Sequence, residues 1–150
     1  MYIVNAREPM AILVALLLAG CSASSKPYQT APVAGRITLD GKPLPDAHVT
    51  FMPVAEAQSR SQSGPEGNGD TADNGRYSLK TAFGDAGASV GKNRVMITTR
   101  KTELDPMNPD RSKEVAKERV PAKYFSDQSP LFWDVSSSGT KTADFELTTR

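Results

Sequence analysis

From Val33 onward the chain alternates apolar and polar residues in short runs, the period-two pattern of half-buried strands. In GRITLD, Ile37 and Leu39 share one face while Arg36 and Thr38 share the other. In HVTFMP the inward set is Val49, Phe51 and Pro53. Tyr77 and Leu79 alternate with Arg76, Ser78 and Lys80, RVMITT pairs Val95 with Ile97, LFWDV aligns Leu131, Trp133 and Val135, and ADFELT aligns Phe145 with Leu147. Asp40-Gly41 and Asn74-Gly75 provide turn chemistry, since glycine accepts positive φ and Asp or Asn can bond its own backbone. The pattern predicts an all-β fold, a small Greek-key β-sandwich of six or seven short strands whose two inner faces cover one another.

The first residues follow another rule. Met1–Glu8 is polar with one basic residue, Arg7, and Met10–Leu18 is an unbroken apolar run, MAILVALLL. That run is shorter than the roughly 20 residues a membrane-spanning helix needs, so it reads as the helix of a signal peptide, with Met1 and Met10 both open as start sites. It is followed by Leu18-Ala19-Gly20-Cys21, which resembles the lipobox of bacterial lipoproteins. A thiol is required to carry a diacylglyceryl thioether, and the small side chains of Ala19 and Gly20 give a signal peptidase access to the bond before Cys21. Cys21 is the only cysteine, so once acylated it leaves no thiol for a disulfide or for catalysis. Residues 1–20 are therefore read as a lipoprotein signal peptide and residues 21–32, from the lipidated Cys21 through SASSKPYQTAP, as a flexible tether. Residues 33–150 form the domain. By the sorting habit of enteric lipoproteins, Ser22 in place of Asp after Cys21 points to the outer membrane.

Three stretches carry a further resemblance. GRITLDGKPLPDAHVTFMP, from Gly35 to Pro53, resembles the opening of carboxypeptidase regulatory-like domains, whose fold is a transthyretin-like (prealbumin-type) sandwich; Asp46 stands where that family usually has glycine. TADNGRYSL, from Thr71 to Leu79, resembles its T-D-x-x-G-x-Y segment with one extra residue between Thr71 and Asp73. GASVGKNRVMI, from Gly87 to Ile97, resembles its G-x-Y-x-V-x-V strand, with Asn93 in place of the aromatic. These motifs are turn and core positions, so the resemblance implies a fold and little about activity.

Composition narrows the function. Lys and Arg number 18 against 17 Asp and Glu, a net charge of +1, which supplies no field to steer the protein to nucleic acid. His48 is the sole histidine and alternation puts it on the outer face as an isolated surface residue, without the partners a general base, zinc site or triad requires. Asp70, Asp73 and Asn74 fail the spacing of a calcium loop and read as a turn into the Tyr77 strand. They also lack the cleft of a glycosidase pair. Lys42, Lys80 and Lys92 sit at turns or on outward faces, unsuited to an isopeptide crosslink. Trp133 is expected in the core, and Tyr124, Phe132 and Trp133 are weighed together as a sugar-stacking platform, with Phe132 the outward aromatic. Two segments break the alternation: 55–68 reads as a loop and 101–119 as a charged insertion in which Ser112 caps about two helical turns.

The chain is thus expected to be non-enzymatic, with no cofactor, no metal and no nucleic-acid partner. Its expected role is a binding or interaction module held on a membrane through Cys21 and facing an envelope protein or polysaccharide. The alternative is a structural spacer or assembly subunit.

Overall fold

A computed structural model describes residues 26–54 and 64–150. Among them run thirteen strands: β1 (Thr30–Ala31), β2 (Ala34–Leu39), β3 (Lys42–Pro43), β4 (His48–Pro53), β5 (Gly67–Asp70), β6 (Arg76–Ser78), β7 (Lys80–Thr81), β8 (Ala88–Ser89), β9 (Gly91–Thr98), β10 (Lys101–Asp105), β11 (Asn108–Ala116), β12 (Phe132–Val135) and β13 (Phe145–Leu147). A 3-10 turn at Ala122–Tyr124 precedes β12. One sheet has the order β12-β9-β4-β5-β7, and the second is built on β2, which pairs with β13 in parallel and with β3 and β6 antiparallel. Among the described residues no helix is long and apolar enough to cross a membrane.

The alternation sets the core. Val49, Phe51, Val95 and Ile97 from the first sheet meet Ile37, Tyr77, Phe145 and Leu147 from the second, all buried. The phenyl ring of Phe145 joins the layers edge-on, 6.1 Å from Phe51 and 5.8 Å from Trp133. Such aromatic pairs stabilise by about 0.5–1.5 kcal/mol beyond the area they bury. Tyr77 brings a polar tip inside and resolves it by donating to the Ala143 carbonyl at 2.6 Å. Burial, with the nearby Asp144 charge, pushes that phenol well above its ordinary pKa, so it stays a donor at any pH the fold survives.

Turn residues behave as their chemistry dictates. Asp40 and Gly41 both have positive φ, 48° and 78°, the left-handed pair that closes a two-residue hairpin between β2 and β3. The Asp40 carboxylate accepts from the Thr149 hydroxyl and backbone N–H at 2.7 and 3.0 Å, which lowers its pKa and fastens the last residues beside the turn. Asp46 also lies in the left-handed region, at φ 57°, a conformation that favours glycine and that Asp tolerates better than most side chains.

The structure departs from the sequence reading in three places. Order begins before Val33: Thr30 and Ala31 pair with Ser89 and Ala88, Ala31 is buried and Val90 N donates to Gln29 O at 2.8 Å, so the stretch read as tether up to Pro32 is in part sheet. Gly67 and Asn68, assigned to a loop, open β5, which lies between β4 and β7 despite the sequence GNGD; residues 55–63 of that loop lie outside the described residues. The charged insertion holds no helix at Ser112, because residues 101–116 form the antiparallel hairpin β10–β11, with Ser112 opposite Leu104.

Candidate binding site

The hairpin leaves the sandwich at the end of β9. Its turn is set by Asp105, whose carboxylate accepts from Met107 N at 2.9 Å, an Asx-type turn ahead of Pro106. Leu104 and Met107 are 70% and 93% exposed, so the hairpin stands on backbone pairing rather than on a core.

Where the hairpin joins the body a cleft opens, about 480 Å³ in volume, between the Asp46 turn and the residues at either end of the hairpin. Lys101, Lys117 and Arg119 bring three cations to it, Asp46 one carboxylate, and Val115 and Ala116 an apolar wall. Lys101 Nζ donates to Asp46 Oδ1 at 3.2 Å and the Arg119 guanidinium donates to the Pro45 carbonyl. One cation is thus matched by Asp46, while among the described residues no carboxylate pairs with Lys117 or Arg119.

Glu118 holds this end together. Its carboxylate accepts from Thr99 N at 2.9 Å, Thr99 Oγ1 at 2.8 Å and Val120 N at 2.9 Å, and from the Thr98 hydroxyl. Burial acts to raise its pKa, but the donors outweigh burial and bring it down to about 2. Glu118 is therefore ionised at neutral pH, an anchor rather than a general acid.

His48 faces outward as alternation requires, but it is not isolated: Nδ1 lies 3.0 Å from Asp70 Oδ1 on the neighbouring strand. Thr98 stands opposite His48 across β4 and β9, forming a row of carboxylate, imidazole and hydroxyl. The hydroxyl proton of Thr98, however, is given to Glu118, so this row does not present an alcohol to the imidazole as a nucleophile.

Other sequence candidates are dispersed. Asp70 is directed to His48, while Asn74 Oδ1 accepts from Arg76 N at 3.0 Å and shapes the turn. Among the described residues no three His, Cys, Asp or Glu side chains gather as a metal shell. Trp133 packs on the core, Tyr124 is buried and its hydroxyl accepts from Thr148 N at 3.3 Å, and Phe132 projects outward with Lys92 Nζ 4.8 Å and the Arg94 guanidinium 5.0 Å from its ring. The three aromatics share no common platform. Leu18, Ala19, Gly20 and Cys21 lie outside the described residues.

No family profile matches the chain and no curated protein does. Among solved structures it is similar to a 9R-lipoxygenase from Cyanothece, with a TM-score of 0.40 and 18% identity over 81% of this chain and 16% of the lipoxygenase. The chain thus spans about a sixth of that protein, and a likeness this slight bears on neither fold nor activity.

The cleft was not legible in the sequence. Lys101, Lys117 and Arg119 read as scattered charges until the hairpin brings residues 101 and 117 side by side. A signal was present only in the density of charge between 100 and 119.

Proposed function

We propose that the protein is a lipoprotein anchored through Cys21 on a membrane, facing the periplasm or exterior, and that it acts as a non-catalytic binding module of the cell envelope. The apolar run closed by Leu18-Ala19-Gly20-Cys21 supports the anchor. A carboxypeptidase regulatory-like ancestry is supported by Asp46 having a left-handed backbone where the family usually places glycine, and by Thr71, which opens the second motif. Buried, Thr71 donates to Leu44 O at 2.6 Å and accepts from Ala47 N at 2.8 Å.

The observation that carries the binding role is the convergence of Lys101, Lys117 and Arg119 on one open cleft beside an apolar wall. Such a cleft suits an anionic group borne on a larger envelope component, with the Arg119 guanidinium held at its rim by the Pro45 carbonyl and its remaining N–H groups available to a carboxylate or phosphate. The non-catalytic reading is supported by the hydrogen bonds that tie Glu118 to Thr99 and Val120 and by the commitment of the Thr98 hydroxyl to it. A photo-crosslinking side chain in place of Lys117, used in living cells, tests this. One dominant envelope species is expected, falling by about tenfold when Lys101 and Arg119 are both changed to Glu. Diffuse crosslinks indifferent to that reversal would leave the spacer reading in its place.

A further inference from the structure

The end of the sandwich remote from the hairpin carries a different surface. There the turn between β7 and β8 brings Phe83, 73% exposed, against Tyr28, with ring centroids 6.5 Å apart and planes inclined by 22°. Lys26 Nζ lies 6.0 Å from the Tyr28 ring and is bound to both carboxylate oxygens of Asp85, at 2.6 and 2.7 Å. The ion pair cancels the local charge, leaving an aromatic patch with a polar edge. A Cβ added at Gly84 would meet nothing within 4 Å, so the tip of this turn projects into open space.

We infer that this face, Phe83 and Tyr28 with Lys26 beside them, rests on the headgroup layer of the bilayer that holds the lipid anchor. The inference builds on the lipoprotein reading. Its main support is the length of chain left between anchor and fold. Because Lys26, Tyr28, Gln29 and Thr30 are all engaged with the domain, only five steps of chain separate Cys21 from the first engaged residue. Fully extended, five residues reach at most about 18 Å. An acylated Cys21 at the membrane surface therefore confines the Phe83 turn to its immediate neighbourhood, where stacked aromatic rings with a polar rim match the interfacial region. A patch of this size holds no free protein on lipid, but the anchor raises its effective lipid concentration enough to fix an orientation.

The orientation has a direction. β9 begins at Gly91, next to the Gln29–Val90 hydrogen bond, and ends at Thr98, where the hairpin departs. Eight residues of strand measure about 26 Å, so docking by Phe83 presents the cleft and the hairpin tip away from the membrane.

The test uses the mature lipoprotein on vesicles of phosphatidylethanolamine and phosphatidylglycerol. Because lipid occupies Cys21, a thiol-reactive, environment-sensitive dye is unique at Ala82→Cys or, as the distal reference, at Met107→Cys. Expected is a blue-shifted emission at position 82, quenched by nitroxide-bearing lipids about threefold more than at position 107, with the blue shift lost and the contrast weakened on adding Phe83→Ser. Phe83→Ser should leave vesicle flotation and thermal unfolding unchanged, since the ring is outside the core. An acylated, floating protein whose two labels are quenched alike overturns docking and leaves the lipoprotein reading standing. Absence of an acyl mass on Cys21 removes both.

Discussion

At the scale of single residues, two buried or half-buried polar groups make opposite demands. Asn93 lies in β9 with its amide nitrogen donating to Ser89 O and Gly91 O, both at 2.8 Å, while its side-chain oxygen is buried without a hydrogen-bond partner. The two carbonyls fix which end of the amide faces them, so only a donor fits. Asn93→Asp would set a carboxylate against two carbonyl oxygens, and a loss of about 3 kcal/mol is expected in urea unfolding at neutral pH, smaller in acid where the group is protonated. Glu118 is the reverse case, a carboxylate surrounded by donors. Its folded-state pKa of about 2 lies below the ordinary 4.5, so its stabilising contribution is whole above about pH 4.5 and is lost as the pH falls toward 2. Glu118→Gln should flatten that part of the stability-against-pH curve and, at pH 7, cost about 1–3 kcal/mol. Neither role was visible in the sequence. Asn93 occupies an inward position of an alternating strand where pattern alone expects an apolar residue, and besides the hydroxyls of Thr98 and Thr99 the donors to Glu118 are the backbone N–H groups of Thr99, Arg100, Arg119 and Val120.

At the scale of elements, six strands were legible because each carries alternating apolar residues, and they became β2, β4, β6, β9, β12 and β13. The Asp40-Gly41 and Asn74-Gly75 turns were legible for the same local reason. β5 was hidden, since Gly67, Asn68, Gly69 and Asp70 have poor strand propensity. The requirement is tertiary: a Cβ on Gly69 would come within 2.3 Å of the Ser78 carbonyl oxygen, so the neighbouring segment packs directly on the backbone. Gly69→Val should destabilise by about 1–3 kcal/mol or more, read by thermal or denaturant unfolding. The hairpin β10–β11 was hidden for another reason. Both its faces are wet, so it carries no alternation to read, and Ser112 in β11, following two prolines, reads as a helix cap. With Leu104, Met107 and Val115 exposed, it draws little from the core. Hydrogen exchange should find its amides opening well before those of β4 and β9, and replacing residues 102–115 by a short Gly-Ser turn should change overall stability by less than about 1 kcal/mol.

At the scale of the whole molecule, the fold is closed by contacts distant in sequence. β13 lies parallel to β2, with Phe145 beside Ile37 and Leu147 beside Leu39. Asp144 accepts from Arg36 N at 2.7 Å. Removing residues 145–150 takes two core side chains and leaves an edge of β2 unpaired; the truncated chain should lose the dispersed amide spectrum of a packed sandwich, since losing one buried Phe alone costs about 3–5 kcal/mol. The sandwich could be anticipated from its strands, but this parallel pairing could not, because alternation identifies faces and says nothing of neighbours. The pairing also governs timing. While a ribosome or a translocation channel still holds residues 145–147, β2 lacks its parallel partner and the second sheet cannot close, so a nascent chain has no native endpoint to reach. Long-range closure of this kind is slow. On the export route proposed above, the arrangement would keep the polypeptide threadable until β13 has been delivered to the far side.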